Sequence, residues 1–223
     1  VSNADLSDPA APSFSYRGSI RYEGDDPLAS PCNLGADAVG VQRYLVTNSL
    51  DPGATSADLT ITLQVTGSFG GDFSLGGANL GLDFYYADAN DPLDGPRVPI
   101  ANLFCQTADP TPIECFGSGY DLSGFTTLVT SNGIAFDGQI VGDFTAPIGE
   151  NLLALQTFGT LRLDTGTEGP VELTNDFGDT VTWQISAAEA GVSIVPVPEP
   201  GTAALLGVGL IGLLETRRAS RRR

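Results

Sequence analysis

The densest group of side chains that could bind a ligand lies in residues 88–95, with the sequence DANDPLDG. Its carboxylate and amide oxygens belong to Asp88, Asn90, Asp91 and Asp94. Oxygen donors at this density are the ligands that calcium takes in proteins. The loop is not an EF-hand, because a proline occupies its fifth position and no glutamate stands at its twelfth. A calcium site and an ordinary Asx-rich turn are both open here, and the sequence predicts no other cofactor.

The chain contains no histidine, and this absence removes several classes of enzyme. A Ser-His-Asp triad, a Cys-His dyad and a histidine-ligated zinc site are all excluded. A pair of carboxylates could still hydrolyse glycosidic bonds. With 27 acidic residues in the chain, however, some pair falls at a suitable separation by chance. We therefore expect no enzymatic activity, and a secreted hydrolase that uses carboxylates is kept as an alternative.

Two of the three cysteines bracket a short, proline-containing loop, QTADPTPIE, between Cys105 and Cys115. In an oxidising compartment we expect these two to form a disulfide, which for so short a loop adds about 2–3 kcal/mol. Two buried thiols are the alternative. Cys32 is then left without an assigned partner, either buried or free to link two chains.

Three aromatic residues could stack on sugar rings: Tyr85, Tyr86 and Trp183. Tyr86 and Trp183 fall on the apolar faces of their predicted strands, which favours core packing. Tyr85 points the other way and is the better candidate for a role at the surface.

These side chains must be positioned by β-strands, because the chain alternates apolar and polar residues with period two. The clearest run is DLTITLQVTG, in which Leu59, Ile61, Leu63 and Val65 share one face and threonines and a glutamine share the other. Glycine and proline turns separate many such short runs. The sequence predicts an all-β fold: a single β-sandwich, jelly-roll-like, followed by one C-terminal transmembrane helix.

The domain organisation follows from shifts in composition along the chain. We expect an irregular N-terminal lead-in at 1–31, with one strand near its end, and a β-sandwich body at 32–190. A proline-rich linker at 191–200 should be extended, since its three prolines disfavour both helix and sheet pairing. A transmembrane span at 201–216 and a basic cytoplasmic tail at 217–223 complete the chain.

Charge is distributed unevenly between the body and the C-terminus. The formal net charge is −17, yet five of the ten basic residues fall in the last seven positions: Arg217, Arg218, Arg221, Arg222 and Arg223. An acidic body of this kind repels nucleic acid. The segment from Pro200 to Arg218 would form a helix of about 28 Å, close to the hydrocarbon thickness of a bilayer. The arginines then place the tail in the cytoplasm and the body outside.

The order of these C-terminal features resembles the PEP-CTERM sorting signal of Gram-negative bacteria. The matching motif residues are Val197, Pro198, Glu199, Pro200 and Gly201, followed by the apolar span and the arginine cluster. The resemblance implies recognition by an exosortase, a membrane transpeptidase that cuts near the motif. Family members are often associated with exopolysaccharide and biofilm matrix. Glu215 departs from the pattern, because it places an acid between the span and the arginines, and an anchor that is never processed is the alternative.

Taken together, the sequence predicts an exported structural protein of the cell surface or the extracellular matrix. It would have a transient inner-membrane anchor, with the body on the periplasmic side, before release to the surface. The expected partners are the exosortase, the inner membrane before processing, and exopolysaccharide or further copies of the chain. Other functions are kept open: a calcium-dependent carbohydrate-binding module, a self-assembling fibre subunit and the secreted hydrolase.

Overall fold

In the computed structural model, the described residues are 2–5, 13–24, 28–88, 91, 95–107, 113–130, 133–164, 166–167 and 170–197. They contain twelve strands and one short 3-10 turn (Phe73–Leu75). The strands are β1 (Ser2–Asp5), β2 (Ser13–Tyr22), β3 (Cys32–Asn48), β4 (Ser56–Gly70), β5 (Gly76–Tyr86), β6 (Val98–Gln106), β7 (Glu114–Ser118), β8 (Phe125–Thr130), β9 (Gly133–Pro147), β10 (Gly149–Leu163), β11 (Val171–Ala187) and β12 (Val192–Pro196).

The strands form two six-stranded sheets. The β4 sheet has the order β1-β2-β11-β4-β9-β8, and the β10 sheet has the order β12-β3-β10-β5-β6-β7. The strand pairs within both sheets are antiparallel. The prediction of an all-β fold is therefore confirmed, whereas the jelly-roll-like connectivity stays a prediction.

Alternating residues of the two sheets meet in one core, which makes the arrangement a sandwich. On β4, Leu59, Ile61, Leu63 and Val65 are all buried, as the period-two pattern predicted. Aromatic rings bridge the sheets: the Phe84 centroid on β5 lies 5.3 Å from that of Phe144 on β9. Edge-to-face ring pairs at such distances add to the apolar burial.

The N-terminal part of the body begins earlier than expected. Strand β2 pairs with β11, and its residue Ile20 is only 8% exposed and belongs to the core. Residues 13–22 are thus part of the β4 sheet and do not belong to an irregular lead-in. The predicted boundary at residue 31 was placed too late, because the polar and proline-containing residues around this one strand give few apolar repeats.

The expected linker also differs at its start. Residues 192–196 pair with β3, so the prediction that the proline-rich segment cannot join a sheet is wrong for Pro196. The N–H of Val197 donates to the Arg43 carbonyl at 2.8 Å. Since successive N–H groups along a strand alternate in direction, the nitrogen of Pro196 faces the open edge. An edge strand tolerates a proline there because no hydrogen bond is lost.

Within the described residues, no helix is long and apolar enough to cross a membrane. The predicted span at 201–216 and the basic tail at 217–223 lie outside the described residues. Both stay predictions.

Candidate functional site

The sorting motif begins where the last strand of the sandwich ends. Val195 pairs with Leu45 of β3, and Val197, the first motif residue, is held by its hydrogen bond to Arg43. Ile194 faces inward and packs against the core. Motif residues 198–201 lie outside the described residues.

The surface beside Val197 is partly apolar. Leu45 is 39% exposed and Val195 is 52% exposed, and they are cross-strand neighbours on the outer face of the β10 sheet. Next to them the guanidinium of Arg43 contacts the carboxylate of Glu150 at 3.1 Å. Both partners of this ion pair are well exposed, so it adds little to stability.

The disulfide predicted between Cys105 and Cys115 is present. The two residues are directly opposite each other on the neighbouring strands β6 and β7. Cys105 is fully buried, so the bond ties the edge strand β7 to the core. Cys32, at the start of β3, is an exposed free thiol.

The calcium loop is only partly described. Asp88 and Asp91 fall within the described residues, whereas Asn90 and Asp94 lie outside them. The N–H of Gly95 donates to the Asp91 carbonyl at 2.9 Å, which is a turn contact. Among the described residues, no three His, Cys, Asp or Glu side chains are grouped closely enough to hold a metal ion. A calcium site stays a prediction.

Two of the aromatic residues considered for sugar stacking, Trp183 and Tyr86, pack against the core. Trp183 is 1% exposed, and its ring lies 5.6 Å from Phe84 and 6.0 Å from Tyr44 between the sheets. The half-buried Tyr86 donates its hydroxyl hydrogen to the Thr145 carbonyl at 2.9 Å. The expected core packing of Trp183 is thus confirmed.

The prediction of a surface role for Tyr85 is wrong. Tyr85 does point away from the core, as its strand position indicated, but it is only 2% exposed. The guanidinium of Arg97 lies over its ring, 4.7 Å from the centroid, and covers it. Burial raises the pKa of the Tyr85 hydroxyl, which has no hydrogen-bond partner among the described residues. Alternation predicts which way a side chain points and does not predict what covers it.

Sequence reasoning missed a different set of outward aromatic residues on the β10 sheet: Phe104, Phe116 and Phe158. A signal for two of them was present. If the half-cystines Cys105 and Cys115 point inward as a pair, then the adjacent Phe104 and Phe116 must point outward together. Phe104 pairs with Phe116 across the two strands.

Acidic side chains also line the outer face of the β4 sheet. The Thr60 hydroxyl donates to Asp143 at 2.7 Å, and the Thr145 hydroxyl donates to Asp58 at 2.8 Å. These cross-strand pairs border a shallow depression of about 410 Å³. Each carboxylate thus accepts a hydrogen bond from a threonine on the neighbouring strand, an arrangement that ties β4 to β9.

Comparison with known protein families identifies a sorting motif at the C-terminus. Residues 196–223 match the family model of the PEP-CTERM protein-sorting motif. This motif implies export and processing by an exosortase, as the resemblance in the sequence indicated. The match covers the C-terminal segment alone, and no curated protein matches the chain.

Solved structures give only distant likenesses. A CocE/NonD family hydrolase from Staphylococcus aureus is 7% identical, with 79% of this chain and 39% of that chain covered and a TM-score of 0.24. The VP2 subviral particle of infectious bursal disease virus is 12% identical, with 95% and 52% covered and a TM-score of 0.15. The chain thus spans about half or less of these proteins, and neither likeness is close enough to argue from.

Proposed function

We propose that this chain, which carries the PEP-CTERM sorting motif, is a structural protein of the cell surface or the extracellular matrix. An exosortase delivers its β-sandwich body through the C-terminal signal, and the body has no catalytic activity of its own. One observation supports this proposal above the others: the matched sorting segment begins at residue 196, the last residue of the final strand of a disulfide-bonded sandwich. The signal is therefore attached to a body whose disulfide is typical of proteins in oxidising compartments outside the cytoplasm.

The path to the surface follows from the order of segments. The apolar span at 201–216 anchors the chain in the inner membrane, and the arginine cluster that follows keeps the tail in the cytoplasm. The body then stands on the periplasmic side, close to the membrane, because few residues separate β12 from the span. Cleavage near the motif releases the body to the surface or matrix.

Intact mass spectrometry of the protein taken from a host that carries an exosortase tests this path. We expect mature chains that lack the arginine cluster at 217–223. Glu199→Ala should cause the full-length form to accumulate in the inner membrane. Glu189→Ala is the matched control, because Glu189 is an exposed acid in the turn before β12 and lies outside the motif.

Two results would contradict the proposal. Mature chains that still end in the arginine cluster would leave an unprocessed anchor in place of a sorting signal. Equal accumulation with Glu189→Ala and Glu199→Ala would mean that the motif glutamate has no special role in processing.

A fibre subunit is a second candidate, and one edge strand favours it. Strand β8 ends the β4 sheet, carries no charge or proline, and exposes Leu128 by 65% and Val129 by 47%. An uncharged, exposed edge strand is suited to pairing with another strand. Val129→Lys should abolish filaments seen by electron microscopy if this edge joins copies of the chain. Filaments that persist in this variant would remove β8 as the joint.

A further inference from the structure

The outer face of the β10 sheet carries a row of aromatic side chains across four strands. Phe158 on β10 is paired with Gly81 on β5, Gly81 with Phe104 on β6, and Phe104 with Phe116 on β7. The ring centroids of Phe104 and Phe116 are 5.3 Å apart, and those of Phe104 and Phe158 are 6.3 Å apart. We name Phe158, Phe104 and Phe116 the aromatic row.

A glycine in the sheet gives the aromatic row its continuity. A Cβ atom at Gly81 would lie 2.0 Å from Cζ of Phe158, so the phenyl ring occupies the space above the glycine. The ring therefore lies down across β5 towards Phe104 and does not stand upright on β10. With a strand spacing of about 4.8 Å, the aromatic row covers roughly 14 Å across the sheet.

The aromatic row is accessible at its outer end. Phe116 is 53% exposed, and Phe104 and Phe158 are of intermediate exposure. The rings are tilted by 50° and 37° relative to their neighbours, so they form a shallow, stepped surface and do not close into a compact cluster.

Polar side chains form a second row two residues along the same strands. Gln156 is paired with Asp83, and Asp83 with Asn102, about 6.8 Å from the aromatic row. The guanidinium of Arg97 donates to Oε1 of Gln156 and orients that amide. Oδ1 of Asn102 accepts the N–H of Ser118 at 3.1 Å, which leaves the Asn102 side-chain NH₂ to donate.

We propose that this face binds a neutral polysaccharide. A sugar ring has an apolar C–H face that can lie on an aromatic ring, and a rim of hydroxyl groups that need donors and acceptors. The aromatic row supplies the surface for the apolar face of the sugar. The carboxylate and amides of the polar row, two residues away along each strand, supply donors and acceptors for the hydroxyl groups. Sites that combine aromatic surface with a few placed polar groups are typical of small-molecule and saccharide recognition. The length of the aromatic row suits at least two consecutive sugar units.

The net charge of the chain indicates which kind of ligand this face of the β10 sheet can bind. At a net charge of −17, an anionic polymer and an anionic lipid surface would be repelled at long range. A second copy would need about 800 Å² of contact on each partner at this face. The aromatic row is one residue wide, and a further polar set formed by Thr160, Asn79 and Gln106 lies on its other side. A neutral polymer is not repelled by the acidic chain and does not need so large a contact area.

This inference extends the proposed matrix role to a ligand, and it holds whether or not the tail is removed. The test is affinity gel electrophoresis of the purified full-length chain in detergent, with dextran, a β-glucan, a galactomannan and the anionic polymer alginate. We expect at least one neutral polymer to retard the protein, and the same retardation in EDTA. Phe104→Ala/Phe116→Ala should weaken that binding about tenfold or more, whereas Phe116→Tyr should retain it.

Leu50→Ala is the matched control, because it also removes an exposed apolar side chain but lies in the loop between β3 and β4, outside the aromatic row. The near-ultraviolet circular dichroism of the buried Trp183 checks that each variant is folded. The proposal is overturned if no neutral polymer binds, if only alginate binds, or if the double variant binds as tightly as the parent. It is also overturned if the double variant changes the oligomeric state by light scattering, which would make the aromatic row a contact between copies.

Discussion

Gly67 on β4 occupies a position where the size of one side chain controls the packing of a core ring. A Cβ atom there would lie 2.2 Å from Cδ1 of Phe177, which is fully buried. Phe177 in turn packs against Phe69 and Phe136, with centroids 5.4 Å and 5.7 Å away. The phenyl ring fills the space above the glycine, so an added methyl group must displace the ring of Phe177.

We expect Gly67→Ala to lower the free energy of unfolding by about 1–3 kcal/mol, because overpacking forces a buried ring out of its rotamer. Urea unfolding followed by Trp183 fluorescence measures the change. Gly35→Ala is the control, since a Cβ there meets only Thr160 Cγ2 at an ordinary 3.8 Å. A loss for Gly35→Ala as large as that for Gly67→Ala would show that the cost comes from glycine in general and not from Phe177.

At the level of single residues, the period-two alternation predicted correctly which way side chains point, but it did not predict which residues surround them. Trp183 and Leu63 were assigned to the core, and both are buried. Tyr85 was assigned to the outer face, where it does lie, yet Arg97 from the loop that follows β5 covers it. Alternation is a local property of one strand, whereas cover comes from residues that the topology brings in from elsewhere. The aromatic row was missed for the same reason, since its members come from three strands.

At the level of elements, the structure contains strand β12 in a segment where the prolines led us to predict no sheet pairing. Its pairing with β3 buries one side of Val192 and Ile194, and it protects one edge of the β10 sheet. A rule that proline forbids sheet pairing applies to central strands, where each N–H is needed. Edge position could not be known before the sheet order was known.

The role of β12 can be tested by truncation. A chain that ends at Val197 should keep the stability of the body, because all pairs between β12 and β3 are retained. A chain that ends at Gly191 should lose about 1–3 kcal/mol, since Val192 and Ile194 no longer cover the core. It should also self-associate more, because the edge of β3 is then open. Urea unfolding measures the stability, and light scattering measures the self-association. Equal values for the two chains would mean that β12 neither stabilises the body nor protects the edge of β3.

At the level of the whole molecule, the sandwich is strongly acidic and holds several tyrosines in poorly hydrated surroundings. Burial raises the pKa of Tyr44, Tyr85, Tyr86 and Tyr120 above the ordinary value of 10.0. In the unfolded chain these hydroxyls would ionise near that ordinary value. Above pH 10 the unfolded state therefore binds fewer protons than the folded state, so stability must fall as the pH rises.

We expect the urea midpoint to decline steadily from pH 9 to pH 11 at constant ionic strength, with the tyrosinate absorbance at 295 nm appearing mainly on unfolding. Tyr120→Phe should make this decline shallower, because the Tyr120 hydroxyl is buried, its pKa is raised, and it has no hydrogen-bond partner among the described residues. Tyr86→Phe serves as the contrast: it loses a hydrogen bond to the Thr145 carbonyl, so it should cost about 1 kcal/mol even at neutral pH. If the midpoint stays constant while the absorbance rises in the folded protein, the tyrosines ionise in place and the burial argument fails.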